Sequence, residues 1–270
     1  MKERLTVDEL KNYELNILKF IDYVCKKYDI KYFVNYGTLL GSVRHKGFIP
    51  WDDDIDISMY REDYERFQKA VIKENNERYT ILSKDNSEWY FQNFFVVIDK
   101  YTLLEDNVKR NRRDSNVFVD VFPIDRFNDL NFVKKAHLMV TLRHICFIKK
   151  KFIIHKDSRI KDFCRVTFWY LLKFVNPRFF TKKIEKLVEK YSDENGIYEG
   201  AVGVDKTGMK EVFKAGTYEE LIELPFEDMM VPAPKNYDKI LTQFYGDYMQ
   251  KPSDAEIEYK SHLLDAYRIK

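Results

Sequence analysis

Tyr36-Gly37-Thr38-Leu39-Leu40-Gly41-Ser42-Val43-Arg44-His45-Lys46-Gly47 is followed, three residues on, by Trp51-Asp52-Asp53-Asp54-Ile55-Asp56-Ile57. The second segment packs four carboxylates into five positions. Asp54 to Met59 alternates like a strand, so Asp54 and Asp56 share one face while Ile55 and Ile57 point into a core. Two strand steps separate the two Asp by about 6.6 Å. At that range two carboxylates repel by roughly 3 kcal/mol at an effective dielectric of about 20. A cation between them relieves this, and hard oxygen donors favour Mg²⁺ (or Mn²⁺). The competing reading is a solvated acidic turn. An EF-hand is excluded: Ile57 sits where the loop needs Gly, and Asp63 sits where a bidentate Glu belongs.

The first segment reads as a phosphate loop. A Gly after a strand, leading into a helix, turns backbone N–H groups toward an anion. Thr38 and Ser42 add hydroxyl donors, and Arg44 and Lys46 add charge. His45 is either a phosphate contact or a solvated loop residue. No GK[ST] follows a correctly spaced Gly, so this is no Walker loop. A third carboxylate, Asp120, is the one charged residue in Val117-Phe118-Val119-Asp120-Val121-Phe122. Burial there demands a cation or a donor nearby; capping a neighbouring element is the alternative.

Outward from this stretch, residues 6–28 read as a helix, with Thr6 and Glu9 at capping-box spacing. Lys31 to Val34 is strand-like, Thr38 to Arg44 a short helix, and Arg61 to Lys73 helical. Strand-like runs follow at Tyr79–Leu82, Tyr90–Ile98 and Val117–Phe122. Residues 131 to 192 read as helical and Gly196 to Gly216 as loop. Pro225, Pro232 and Pro234 bracket an extended segment. A helix over Tyr237–Tyr245 ends at Gly246 in a left-handed cap. The fold class is therefore α/β (α+β), a mixed sheet with flanking helices and a helical, basic second half. The expected divisions are residues 1–130 as catalytic core, 131–200 as basic helical region, and 201–270 as a C-terminal segment packing back on the core.

The chain has 270 residues, 45% of them apolar and 33% charged, which excludes disorder as the main state. Three separated cysteines and no CxxC pair argue against a disulfide scaffold and fit a reducing compartment. The N-terminus lacks the apolar stretch of a signal peptide, and no apolar run reaches the ~20 residues of a membrane span. The net charge of +2 hides an asymmetry. Residues 134–190 hold 16 Lys or Arg against 4 Asp or Glu, a surplus of +12, so the remainder carries −10. Phe, Trp, Ile and Leu run through this basic stretch. It reads either as amphipathic helices with a solvated basic face or as a surface for a polyanion or anionic membrane.

Residues 37–57 closely resemble the signature of the LicD family, and Val231-Pro232-Ala233-Pro234, Tyr245-Gly246-Asp247-Tyr248-Met249 and His262 also look familial. The resemblance implies a nucleotidyltransferase-like fold and transfer of phosphocholine from CDP-choline, or a related CDP-alcohol, to a cell-surface glycan precursor of teichoic acid or lipopolysaccharide type. It implies release of CMP and a lipid-linked glycan acceptor; the cysteine usage and the basic stretch point to a cytoplasmic protein, peripheral at the inner face of the membrane. Residue by residue, Gly37-Thr38 matches the helix start, Asp54 and Asp56 the metal-binding pair, and Asp120 the third carboxylate. Asp54, Asp56 and Asp120 are thus the expected catalytic and metal residues, Asp120 completing the metal shell or accepting the acceptor's proton. Gly37, Thr38, Ser42, Arg44, His45, Lys46 and Trp51 are then the expected substrate-binding residues. Trp51, Trp89 and Tyr90 are candidates to face a choline cation. Thr38 stands where relatives often have Gly or Ser, and Pro252 stands alone where they tend to have two prolines. Rival readings are a nucleotide-sugar glycosyltransferase with an Asp-x-Asp metal site, nucleotidyl transfer to RNA, and a non-enzymatic membrane-binding module. Nucleic acid is the less favoured partner, given the glycan-directed resemblance.

Overall fold

Thr6 starts the first long helix as its spacing with Glu9 predicts. Its hydroxyl accepts the Glu9 N–H at 3.2 Å while the Glu9 carboxylate accepts the Thr6 N–H at 2.8 Å. The computed structural model describes residues 2–105, 115–149, 154, 158–204, 207–252 and 265–269.

The front of the chain runs β1 (Lys2–Arg4), α1 (Val7–Tyr28), β2 (Phe33–Val34), α2 (Tyr36–Arg44) and β3 (Asp56–Tyr60). It continues with α3 (Arg61–Glu74), β4 (Tyr79–Leu82), β5 (Phe95–Asp99), β6 (Thr102–Glu105) and β7 (Phe118–Phe127). Three helices follow, α4 (Leu130–Phe147), α5 (Arg159–Leu172) and α6 (Arg178–Tyr191). After them come β8 (Tyr198–Gly200), β9 (Phe213–Lys214), a hairpin of β10 (Leu221–Phe226) and β11 (Met229–Pro234), α7 (Tyr237–Tyr245) and β12 (Asp265–Ile269).

The central sheet has the order β2-β3-β7-β5-β4, with β8 and β9 continuing from β7. Only β3 and β7 pair in parallel; the other pairs are antiparallel. This is a mixed sheet flanked by helices, the α+β class expected. Ile57 and Met59 of β3, Ile55 just before it, and Val119 and Val121 of β7 are fully buried. They pack with Ile17, Ile21 and Val24 of α1 and with Phe67 of α3 in one core. The acidic strand is thus anchored through its Ile residues, as alternation requires. Among the described residues no helix is long and apolar enough to cross a membrane.

Several boundaries differ from the sequence reading, each for a tertiary reason. The strand expected over Tyr90–Ile98 forms only from Phe95. Arg143 of α4 donates to the Phe91 carbonyl and the Asn93 side chain, and Asn93 donates to the Thr181 carbonyl. Groups from α4 and α6 therefore occupy the Phe91 carbonyl and the Asn93 side chain. The stretch from Gly196 to Gly216, expected as loop, carries β8, a 3₁₀ turn at Gly208–Glu211 and β9. Gly200 is there for close approach: a Cβ would lie 1.9 Å from the Glu211 carbonyl oxygen. The small sheet β1-β12-β6 joins the two ends of the chain and has no local signal in sequence. Gly246 does end α7 with positive φ, but at φ 73°, ψ −125° it is not the left-handed helical cap expected.

Truncating an anchor of the acidic strand should be costly. Ile57→Ala is expected to destabilise the fold by about 2–5 kcal/mol, read as a lowered urea midpoint with unchanged slope.

Candidate active site

The site is organised where α2 meets β3. Asn35 caps α2: its side-chain oxygen accepts the Tyr36 N–H at 2.9 Å, and its amide donates to Ser58 Oγ at 3.0 Å. Tyr36 begins the helix at φ 46°, a left-handed conformation that a bulky side chain adopts only under tertiary constraint. The constraint includes the Tyr36 hydroxyl, which donates to Glu211 at 2.8 Å. Thr38 Oγ1 accepts the Asp56 N–H at 2.8 Å, tying the first turn of α2 to the first residue of β3. On the other side, Asp56 faces Asp120 across the parallel β3–β7 pair, and the Asp120 N–H donates to the Ile55 carbonyl at 3.0 Å.

Gly37, Asp54, Asp56 and Asp120 line one cavity of about 510 Å³. Asp52 joins them, so positions 52, 54 and 56 all turn to the cavity while Asp53 is buried away from it. Alternation thus continues back to Asp52, although regular β-structure begins only at Asp56 and not at Asp54 as expected. Gly37 leaves room for Asp52: a Cβ at position 37 would lie 2.8 Å from the Asp52 Oδ2, so any larger residue there would push that carboxylate aside. The opposite wall comes from the basic half, through Val140, Arg143, His144 and Phe147 of α4. Thr207, Glu211 and Tyr245 close the end, with aromatic faces from Tyr36, Phe94 and Phe122. Arg143 is 2% exposed and held by the Val204 carbonyl at 2.9 Å. Glu211 accepts from Thr207 at 2.5 Å as well as from Tyr36.

The remaining expected ligands lie outside this lining. Thr38 is buried with its hydroxyl on Asp56, and Ser42 donates to the Thr38 carbonyl at 2.9 Å inside α2. Ser42 thus spends its hydroxyl proton within the helix, while Thr38 Oγ1 is held as an acceptor. Arg44 donates to His45 Nε2 at 2.9 Å and to the Tyr248 carbonyl at 2.9 Å, and its guanidinium lies 5.7 Å from the Trp51 ring centre. Burial, then the Arg44 charge, lowers the His45 pKa, as suits a neutral acceptor. The Lys46 carbonyl accepts the Glu227 N–H at 2.9 Å at the β10–β11 turn. These residues fasten the exit of α2 to the C-terminal segment. Trp89 and Tyr90 pack instead with Val96 and Ile98 in a separate small cluster. His262 lies outside the described residues. The sequence reading missed Asp52, Arg143, His144, Glu211 and Tyr245. Their sole local signal was Arg143-His144 interrupting the apolar run of α4.

The cavity is electrostatically strained. Burial pushes the Asp54 carboxyl well above the ordinary range, and the charges of Asp52, Asp120 and Asp53 push further. Burial, then Asp56, Asp52 and Asp54, raises the Tyr245 phenol. Behind the acidic segment, Glu14 of α1 is pushed up by burial, then by Asp54 and Asp53. Hard, desolvated oxygens that repel one another are a donor set suited to Mg²⁺ or Mn²⁺. Among the described residues, no group of three or more His, Cys, Asp or Glu side chains is arranged to hold a metal ion by itself. Mg²⁺ commonly needs no such cage, taking one or two carboxylates and completing its shell with water and substrate phosphates.

Comparison with known proteins gives a consistent result. A family model described as "LicD/FKTN/FKRP, nucleotidyltransferase domain" matches residues 29–172. The lipopolysaccharide cholinephosphotransferase LicD of Haemophilus influenzae is 31% identical over 274 residues, covering 98% of this chain and 99% of that protein. An uncharacterized protein of Rickettsia typhi is 33% identical over 138 residues, 49% of this chain and 42% of its own length. One of Rickettsia prowazekii is 46% identical over 55 residues, 20% of this chain and 21% of its own length.

The raised Asp54 carboxyl fixes a pH signature. A carboxyl raised on folding contributes stability that is present below its unfolded pKa, near 3.8, and lost as pH rises through the folded value. At neutral pH without divalent cation, Asp54→Asn should therefore melt higher than the parent, by about 2–4 °C per kcal/mol relieved. The gain should vanish near pH 4. Calorimetry across pH 4–8 checks this, and equal melting points at pH 7.5 would refute the electrostatic strain.

Proposed function

The chain belongs to the LicD family, and from that premise we propose that it transfers phosphocholine from CDP-choline to a hydroxyl of a cell-surface glycan precursor, releasing CMP. That it is a phosphotransferase follows from its full-length similarity to a cholinephosphotransferase. The observation that carries the finer reading is the cavity itself, in which Asp54, Asp56 and Asp120 stand beside Phe94, Phe122, Phe147 and Tyr245. Carboxylates suit a cation on a pyrophosphate, and aromatic faces suit a quaternary ammonium. A volume of about 510 Å³ is in the range of small-molecule sites.

In this reading the acceptor oxygen attacks the phosphorus that carries choline, and the bond from that phosphorus to the bridging oxygen of CMP breaks. The acceptor proton passes to a cavity carboxylate; Asp120, on the strand beside Asp56, is assigned this role. Asp54 and Asp56 are the residues to hold Mg²⁺ or Mn²⁺. The ion, when bound, supplies charge neutralisation on the pyrophosphate. The N-terminal turn of α2 at Gly37 presents backbone N–H groups to phosphate oxygens, and Arg143 adds a fixed positive charge to the facing wall. Tyr36, Phe94, Phe122, Phe147 and Tyr245 replace Trp51, Trp89 and Tyr90 as the aromatic choline contacts. The acceptor is assigned to the lipopolysaccharide or teichoic acid class.

Two experiments test the reading. The first offers equal concentrations of CDP-choline, CDP-glycerol and CDP-ribitol with Mg²⁺ and candidate glycans, and identifies products by mass. CMP release with phosphocholine-modified glycan is expected. Nucleoside diphosphate or pyrophosphate release would move the protein to a sugar transferase or a nucleotidyltransferase. Preference for a polyol donor would overturn the choline assignment alone. Asp54→Ala or Asp56→Ala, and chelation of divalent cation, should each abolish turnover. The second is Gly37→Ala. It should fold normally but lower kcat by on the order of 10²-fold, because the methyl displaces Asp52 from the cavity wall. Wild-type kcat in this variant would remove Asp52 from the site.

A further inference from the structure

α5 presents an apolar face to solvent. None of its residues is buried, and Ile160, Phe163 and Leu171 are 78%, 73% and 67% exposed. At 3.6 residues per turn these three fall on one side of the helix, opposite Asp162, Arg165 and Trp169. Just past the helix, Phe174 is 85% exposed. This inverts the usual arrangement, in which a surface helix turns its apolar stripe inward. Lys173 lies over the rings of Trp169, Tyr170 and Phe174, within 5.5 Å of each centre, so cation and aromatics form one patch. The patch belongs to the segment from residue 134 to 190, which holds 16 basic against 4 acidic residues, and on α5 itself the exposed Arg159 and Lys161 flank the apolar face on either side.

We infer that α5 and Phe174 form a peripheral docking surface for an anionic lipid bilayer. The exposed Ile, Phe and Leu side chains enter the boundary between headgroups and acyl chains, and the surrounding Lys and Arg meet anionic headgroups. Charge selects this occupant. A second copy of the chain, meeting through the same patch, would bring two strongly basic surfaces together. A nucleic acid would satisfy the charge but give no return for exposing Ile160 and Leu171. The Trp169 indole donates to the Ile148 carbonyl at 2.9 Å, fixing α5 to the end of α4. Ile148 follows Phe147, which lines the active-site cavity, so a docked α5 holds that cavity beside the bilayer. The surface is independent of the reaction assigned above, since its binding is read without turnover.

The test uses the full-length protein with vesicles of phosphatidylglycerol mixed with phosphatidylcholine, and with vesicles of phosphatidylcholine alone. Sedimentation with the anionic vesicles only is expected, weakened about tenfold or more from 0.05 to 0.5 M NaCl. The triple variant Ile160→Ser, Phe163→Ser, Leu171→Ser alters exposed residues and should keep the parent's circular dichroism while losing about tenfold or more in vesicle affinity. Phe163→Trp should show a blue-shifted emission on adding anionic vesicles and none with neutral ones. The inference is overturned if the parent fails to bind anionic vesicles or binds both kinds equally. It also fails if the triple variant binds like the parent, changes oligomeric state without changing vesicle binding, or loses affinity for RNA alone.

Discussion

The 2.8 Å hydrogen bond from the Asp56 N–H to Thr38 Oγ1 holds the site together. It acts together with the N-cap residue Asn35, whose N–H donates to the Asp56 carbonyl and whose amide donates to Ser58 Oγ, to join the helix that offers backbone N–H groups to the strand that offers carboxylates. With it, the first turn of α2 and the first residue of β3 move as one body. The rest of the geometry follows from that junction. Asp56 then faces Asp120 across the parallel strand pair, and Asp52 comes close enough to Gly37 that a side chain there would collide with it. The acceptor is shielded from water and the donor partly so: Thr38 is 2% exposed, and Asp56 is half-buried between the fully buried Ile55 and Ile57. A hydrogen bond in such surroundings is costly to lose, because breaking it strands a buried acceptor.

Much of this architecture was legible because it is local. The Thr6–Glu9 capping box, the limits of β4 and α7, and the alternation of the acidic strand are properties of neighbours in sequence, and each appears where its spacing places it. What the chain brings together from afar was not legible. Arg143 binds Asn93 from 50 residues away, and Tyr36 binds Glu211 from 175 away. No periodicity encodes such pairings, so the expected strand at Tyr90 ran too far back and the far wall of the cavity was missed. The placement of Ser42 and Arg44 outside the cavity lining has a related cause. Polar residues near a Gly-rich turn look like ligands in one dimension, but in three they satisfy carbonyls of α2 and of the Tyr248–Gln250 segment. The demand for partners at a helix exit outweighs availability to a ligand.

The charge asymmetry gains meaning from the same geometry. The acidic front supplies Asp52, Asp54, Asp56 and Asp120, and the basic second half supplies Arg143 and His144 on α4, so the two halves meet across one cavity. A cavity lined by carboxylates alone would repel a pyrophosphate, since like charges a few ångströms apart in a poorly solvated site cost several kcal/mol. One wall must therefore be neutralised or faced by positive charge before an anionic donor can enter. Arg143 is suited to do this permanently. Its guanidinium is 2% exposed and is held by the carbonyls of Phe91 and Val204 and by Asn93, so its position is set before any ligand arrives. The carboxylates are the adjustable side. In the free protein burial favours a proton on Asp54; were that carboxylate to hold a cation, the proton would have to leave first. Under the function proposed above, proton release, ion binding and donor binding would be linked, and the repulsion among the aspartates would set how tightly.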